Sequence, residues 1–359
     1  MKAAVMYGVG QPLVIEELNI EEPQVGEVLI KTGASGVCHS DLHFMEGSWM
    51  FPTPVVLGHE SAGIAEKVGP GVTNVKPGDR VVIAFVASCG TCDRCVTGRP
   101  NLCSNASPMG RPGRISKDGS PVFQFASMGA FAEQQLVDAK ACVHVPDGVP
   151  LEVACLVGCS VMTGVGAAIN TARVEPGSSV FVIGAGGVGL NVIQGCAIAG
   201  AGIIVAVDMA DNKLELAKQF GATHTLNAGK EENLVKAVKK LTGGGADYAF
   251  ECIGLGKMVE QAFRALRKGG TALVVGVARG EDQTSLKTAS ITFEEKTLTG
   301  SYYGSARPRE DFPRLIALYQ AKKLKLDELI TRTYGIDEAA QAFADLEAGR
   351  NARGVIVFG

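Results

Sequence analysis

Cys38, His59 and Cys159 are metal-ligand types set far apart in the chain, and a GxGxxG turn at 184–189 follows soon after the last of them. A structural zinc site is usually closed by four protein ligands, whereas a catalytic one takes three and leaves a position open for water or substrate. An open metal combined with a dinucleotide turn points to hydride chemistry. A second set, Cys89, Cys92, Cys95 and Cys103, is spaced CxxCxxCx7C in a loop rich in glycine and polar residues. Four thiolates would close a tetrahedral shell and fix a lobe, about 88–104, that has little apolar material of its own. The first three cysteines also share a ferredoxin spacing, but the fourth does not, so structural zinc is expected over an iron–sulfur cluster. Cys142, Cys155, Cys196 and Cys252 stand in apolar surroundings and read as ordinary buried residues.

The glycine turn has a mechanism. Gly184 permits the tight turn and Gly186 lets the backbone approach a pyrophosphate. Gly187 and Val188 open the helix, and Gly189 lets that helix pack close to its strand. A lone GxGxxG is weak evidence in a chain with 46 glycines, but this one follows an expected strand at 178–184 and opens a helix at 187–200. Asp208 ends the next strand, 203–208, where its carboxylate can accept from a ribose hydroxyl and would repel a 2′-phosphate; NAD is favoured over NADP. A helix at 213–220 and strands near 223–226, 247–251, 272–276 and 298–302 complete about six strands, an alternation that implies a parallel sheet covered on both faces.

The elements around this sheet differ. Residues 1 to about 160 are rich in valine, glycine and proline, with turns such as KPGDR at 76–80, as a β-rich domain requires. The final GVIVFG reads as a strand after a helix around 336–348 and is expected to return to that first domain, making the nucleotide domain an insertion. The expected division is 1–160, 161–302 and 303–359. At 359 residues the chain exceeds the size at which one core keeps growing. The stretch 178–207 has no charged residue but is broken by glycines, so strand, helix and strand fit it better than a membrane span. The start, MKAAVMYGVG, carries no charged leader followed by an apolar core, and ten cysteines in so long a chain fit metal ligation in a reduced cytoplasm. A net charge of −3 gives no basic footprint for nucleic acid. The short cluster Arg111, Arg114 and Lys117 reads as a solvated loop that could touch an anionic ligand.

Several long motifs, in order, carry a resemblance. GHESAGIAEKVGPGV from Gly58 resembles the zinc signature of the zinc-containing alcohol dehydrogenases of the medium-chain dehydrogenase/reductase superfamily. GVCHSDLH from Gly36 resembles their first zinc segment, the four-cysteine loop their structural lobe, and the likeness runs on through GAGGVG to the ending NARGVIVFG. It implies an α/β protein: a GroES-like β-rich catalytic domain plus a Rossmann doubly wound parallel sheet, with the active site between them.

Carried over by residue, the resemblance makes Cys38, His59 and Cys159 ligands of a catalytic zinc. It makes Glu60 an acidic residue behind the metal that ligates it transiently, and Asp41 the carboxylate that orients the histidine. Ser40 and His43 match a proton relay. Thr163, Lys213 and Arg353 match cofactor contacts, and His39 a position that approaches the pyrophosphate. Phe85, Phe125 and Val277 would line an apolar slot above the zinc, Val277 also beside the cofactor; Ala126 leaves room next to them, and Trp49 could border the mouth. The implied reaction oxidises a hydrophobic or aromatic primary or secondary alcohol to its carbonyl compound with NAD, using two Zn²⁺ per chain. The nearest competing reading is a thiol-dependent formaldehyde dehydrogenase acting on an S-hydroxymethyl adduct, which needs an anion pocket such as Arg111 or Arg114 could supply. More remote is a zinc-containing, NAD-sensing binding protein. Partners expected are a small alcohol or aldehyde, no nucleic acid and no membrane. A second copy pairs through the edge strand near 298–302, as a homodimer or, with further copies, a tetramer.

Overall fold

The computed structural model describes residues 1–106 and 114–359. The chain divides into two compact units, one of 1–160, 307–322 and 326–359, the other of 161–306 and 323–325. The second unit therefore keeps two short segments that the sequence reading gave to the first. Both segments are hydrogen-bonded within it. The Thr171 hydroxyl meets those of Ser301 at 2.9 Å and Ser305 at 2.8 Å, and Asn170 donates to the Gly304 carbonyl at 3.4 Å. Gln194 accepts the Lys325 N–H at 2.7 Å and donates to its carbonyl at 3.0 Å.

The first unit is built on two mixed sheets. One runs in the order Cys142–His144, Arg80–Ile83, Ser61–Val68, Glu27–Val37, Arg353–Val357 and Ile330–Tyr334, with Gln134–Asp138 also paired to Glu27–Val37. Arg353–Val357, the last strand of the chain, thus lies antiparallel to Glu27–Val37, with Gly354 opposite Val37. The smaller sheet holds Lys2–Met6, Val14–Glu17, Asn19–Ile20, Val55–Val56, Ile115–Lys117 and Ser120–Gln124. Val28, Ile30, Val37, Phe131, Tyr334, Phe343 and Ile356 share one core. Phe131 stands edge-on to Phe343 at 5.6 Å, fixing the helix Ala339–Glu347 onto it, and truncating such a fully buried ring to alanine costs about 3–5 kcal/mol.

The second unit is a six-stranded, wholly parallel sheet. Its order is His224–Asn227, Ile203–Asp208, Ser179–Ile183, Ala246–Glu251, Leu266–Val274 and Thr297–Gly300. The first three strands in the sequence run outward one way and the next three the other, which is doubly wound topology. Ser179–Ile183 is buried at every position, as a strand covered on both faces must be. The uncharged stretch 178–207 resolves into that strand, the helix Gly187–Ile198 and the strand Ile203–Asp208. A different stretch, the helical run Leu151–Ala172, is long and apolar enough to cross a membrane, but 83% of its most apolar window is buried inside the protein. The fifth strand begins six residues before the expected 272, at Leu266.

Candidate active site

Strand register brings the first two candidate ligands together. Ser35 faces Ser61 across the antiparallel pair, and beyond the last paired residues the Gly36 N–H still reaches the Glu60 carbonyl at 2.7 Å. Cys38, which caps the helix His39–Met45, is thereby set beside His59. Cys159 arrives from a different direction, on the π-helical stretch Val157–Val161. Such bulges widen a helix locally and recur at functional sites. Cys38 Sγ, Cys159 Sγ and a His59 ring nitrogen all lie within 4.8 Å of one another, and all three residues are buried.

The surroundings suit a metal. Asp41, fully buried, accepts the Gly58 N–H at 2.9 Å and faces His59 Nδ1 at 3.1 Å from the same oxygen. With Nδ1 so engaged, Nε2 is the nitrogen left to ligate. Burial opposes a charge on the imidazole, but Asp41 and then Cys38 hold its pKa up at about 10. The Cys38 thiol is held well below its ordinary range, first by its hydrogen bond with Cys159 and then by His59, against the cost of burial. These are the electrostatics of a cation site, where a metal takes the place of the protons. Ser40 Oγ lies 3.7 Å from Cys38 Sγ. Phe85 and Phe125 both stand edge-on to the His59 ring, at 5.9 and 5.5 Å between centroids, giving the site apolar walls. Phe125 continues into Phe44 at 4.6 Å and Phe51 at 5.7 Å, and Phe44 meets the partly exposed Trp49 at 6.4 Å.

Glu60 stands apart from the converging group. One of its oxygens accepts the Ser160 N–H at 2.6 Å and the other is ion-paired with Arg353, both side chains being buried. A side chain at Gly36 would collide with this carboxylate, so glycine there makes room for it. The resemblance gave Glu60 to the metal and Arg353 to the cofactor; neither reading anticipates that they pair with each other. His43 lies on the same short helix as Ser40, its Nδ1 4.0 Å from Glu46. His39, at the start of that helix, is exposed. Arg114 is not available to a substrate anion: it donates to Glu21 at 2.7 Å and Glu27 at 2.8 and 3.0 Å. Arg111 lies outside the described residues.

The four-cysteine lobe also closes on itself. Cys89 and Cys95 sulfurs are 3.9 Å apart, as are those of Cys92 and Cys103, and all four lie within 4.8 Å of one another. A zinc with Zn–S bonds of about 2.3 Å needs a sulfur–sulfur edge of about 3.8 Å, whereas a disulfide needs about 2.05 Å. Thr91 Oγ1 and the N–H groups of Thr91 and Cys92 donate to Cys89 Sγ at 3.5, 3.4 and 3.3 Å, and they lower that thiol to about 5. Cys142, Cys155 and Cys196 are buried as expected; Cys252 opens the turn after its strand, where part of the residue is accessible although burial still pushes its thiol up.

In the second unit, Gly184 takes φ +92° and a side chain at Gly189 would strike the Gly184 carbonyl, so turn and helix are in close contact. Gly186 caps the helix that opens at Gly187 and Val188, and a Cβ on it would meet nothing within 4 Å, leaving the helix start open to a phosphate. Asp208 accepts the Ala185 N–H at 2.9 Å and the Ala210 N–H at 3.1 Å, one on each oxygen. A carboxylate has about four acceptor sites, so it can still take ribose hydroxyls. Lys213 lies in the first turn of the helix Asp211–Gln219, Thr163 on Met162–Gly166, and Val277 is exposed just beyond Leu266–Val274.

Residues 24–147 match the alcohol dehydrogenase GroES-like domain and residues 187–321 the zinc-binding dehydrogenase domain. The chain belongs to the zinc-containing alcohol dehydrogenases. An NDMA-dependent alcohol dehydrogenase from Amycolatopsis methanolica is 43% identical over 99% of this chain and 98% of its own. An S-(hydroxymethyl)glutathione dehydrogenase from Paracoccus denitrificans is 36% identical over 99% of each. The crystal structure of benzyl alcohol dehydrogenase from Acinetobacter calcoaceticus superposes with a TM-score of 0.95 at 36% identity, covering 100% of this chain and 99% of the other. This zinc-containing alcohol dehydrogenase is therefore an oxidoreductase acting on alcohols, with zinc and a nicotinamide cofactor.

Proposed function

We propose that the enzyme uses NAD and two zinc ions per chain to interconvert hydrophobic primary or secondary alcohols, aromatic ones included, with their aldehydes or ketones. The observation that carries this reading is the convergence of Cys38, His59 and Cys159, with the rings of Phe85 and Phe125 edge-on to His59. Three ligands leave a coordination position for an alcohol oxygen, and two phenyl rings favour an apolar body behind it. Bound there, zinc supplies Lewis acidity and NAD supplies the hydride acceptor.

The chain's own groups do the rest. Asp41 fixes the His59 ring, and Ser40 stands next to Cys38, placed to take the alcohol proton. His43 is three residues further along the same helix, hence on the same face, and can carry that proton outward. Asp208 supports NAD over NADP, since its carboxylate would repel a phosphate on the ribose. The pairing of Arg114 with two glutamates weighs against the S-hydroxymethyl thiol adduct as substrate. We further propose a cytoplasmic homodimer joined along the edge strand Thr297–Gly300, next to which Phe293 is 82% exposed. The test is NADH formation by zinc-loaded protein across aliphatic and aromatic alcohols, and formaldehyde with and without a thiol. Turnover only with formaldehyde and a thiol would overturn the assignment.

A further inference from the structure

Strands Ser179–Ile183 and Ala246–Glu251 are neighbours in space although two strands intervene in sequence, and the winding reverses between them. In open α/β sheets, ligands bind outside the carboxyl ends of the strands at such a reversal. The glycine turn occupies the end of the first strand. Glu251, a carboxylate with no part in the alcohol chemistry, ends the second.

Glu251 is fully buried, in register with Ile183 on one side and Val274 on the other. Its Oε1 accepts the N–H groups of Ile253 and Gly254, both at 2.8 Å, and that of Leu255 at 3.5 Å. Its main-chain carbonyl accepts those of Val275 and Gly276, both at 2.9 Å. One residue therefore ties the turn after its own strand, by its side chain, to the turn after the next strand, by its backbone. The two turns touch: a side chain at Gly276 would strike the backbone of Ile253 and Gly254, and one at Gly254 the Val277 carbonyl. Ile253 in turn lies over the glycine turn, its Cγ1 2.8 Å from where a Cβ of Gly184 would be. Ile253, Leu255 and Val277 are 46%, 49% and 46% exposed, an apolar rim at the strand ends where a ligand is expected. Glu251 Oε2 is buried with no hydrogen-bond partner, so the carboxylate is held by its loop contacts alone.

We propose that Glu251 is a positioning residue for the nicotinamide cofactor, setting the turns 252–255 and 275–277 against the glycine turn so that cofactor affinity depends on its carboxylate. This rests on the NAD reading above. The charge matters because a carboxylate accepts an N–H about twice as strongly as a neutral oxygen does. Burial pushes the Glu251 carboxyl above its usual range, the three N–H groups pull it down, and Asp282 pushes it up again. Asp282 itself accepts the Gly256 N–H at 2.5 Å, and the other titratable neighbour, the Cys252 thiol, is kept neutral by burial. Because the folded pKa is raised, the carboxylate and its bonds are lost as pH falls through that raised value, and cofactor affinity falls with them.

The test is fluorescence titration of NADH into the full chain between about pH 8 and about pH 5.5. In the wild-type protein the Kd is expected to rise at least about 3-fold towards the acid end; in Glu251→Gln it is about 5-fold higher at the upper pH and flat below it. In Asp282→Asn the midpoint of the wild-type rise moves to lower pH. That second variant carries the test should Glu251→Gln not fold, and a midpoint that stays in place overturns the proposal. A folded Glu251→Gln that binds NADH as tightly as wild type with the same pH slope also overturns it, while leaving the NAD reading intact. Wild-type protein that binds no NADH removes both.

Discussion

The two thiolate clusters are assembled in opposite ways. Cys38, His59 and Cys159 come from a strand end, a strand start and an irregular helix, and each is buried in a core that the fold maintains. Cys89, Cys92, Cys95 and Cys103 sit within one loop whose regular structure is a single turn, Asp93–Val96, and a 3-10 turn, Pro100–Leu102, with Val96 and Leu102 exposed. The first site is organised by packing, so a metal there would serve chemistry. The second has almost no apolar burial of its own, so a metal held there would supply the order.

Substitutions that separate the two roles sharpen this contrast. Cys38→Ser should lower kcat/KM by at least about 10³-fold, about 4 kcal/mol of barrier, with little change in Tm. Stopped-rate assays and thermal melts on the same sample check it; a large fall in Tm would mean that the catalytic metal also holds the fold. Asp41→Asn should weaken zinc at the catalytic site about 10–100-fold, measured by competition with a chromogenic chelator, while one equivalent stays on the lobe. Cys103→Ser should do the converse. One zinc is lost and Tm falls by several degrees, for a stability loss of about 2–3 kcal/mol, with residual turnover at low temperature. The smallest effect is local: limited chelation should speed amide exchange in 88–104 before it changes exchange around His59, as mass spectrometry of peptides would show.

The same contrast explains what the sequence could reveal. The lobe and the glycine turn are local patterns, so spacing alone exposes them. Cys38, His59 and Cys159 are distant from one another, and no periodicity links them; their residue types make them candidates, and the resemblance makes them one site. The Glu60–Arg353 pair was missed because Arg353 stands on the last strand of the chain, and its partner is set by the antiparallel register with Glu27–Val37. Arg114 read as a free cation for the same reason, since Glu21 and Glu27 lie about 90 positions earlier. The π-helical stretch that carries Cys159 lies in an apolar segment whose residue types give no sign of the bulge. Cys252 looked like core because its neighbours are apolar, but the turn that follows it brings it partly to the surface.

The most direct test of the account follows NADH absorbance with zinc-loaded wild-type protein, benzyl alcohol and NAD, in parallel with Cys38→Ser and with NADP. Steady NADH formation by the wild type, loss of it in the variant at equal folded concentration, and strong preference for NAD are expected. Equal turnover by Cys38→Ser, or none by the wild type with any simple alcohol, would contradict it.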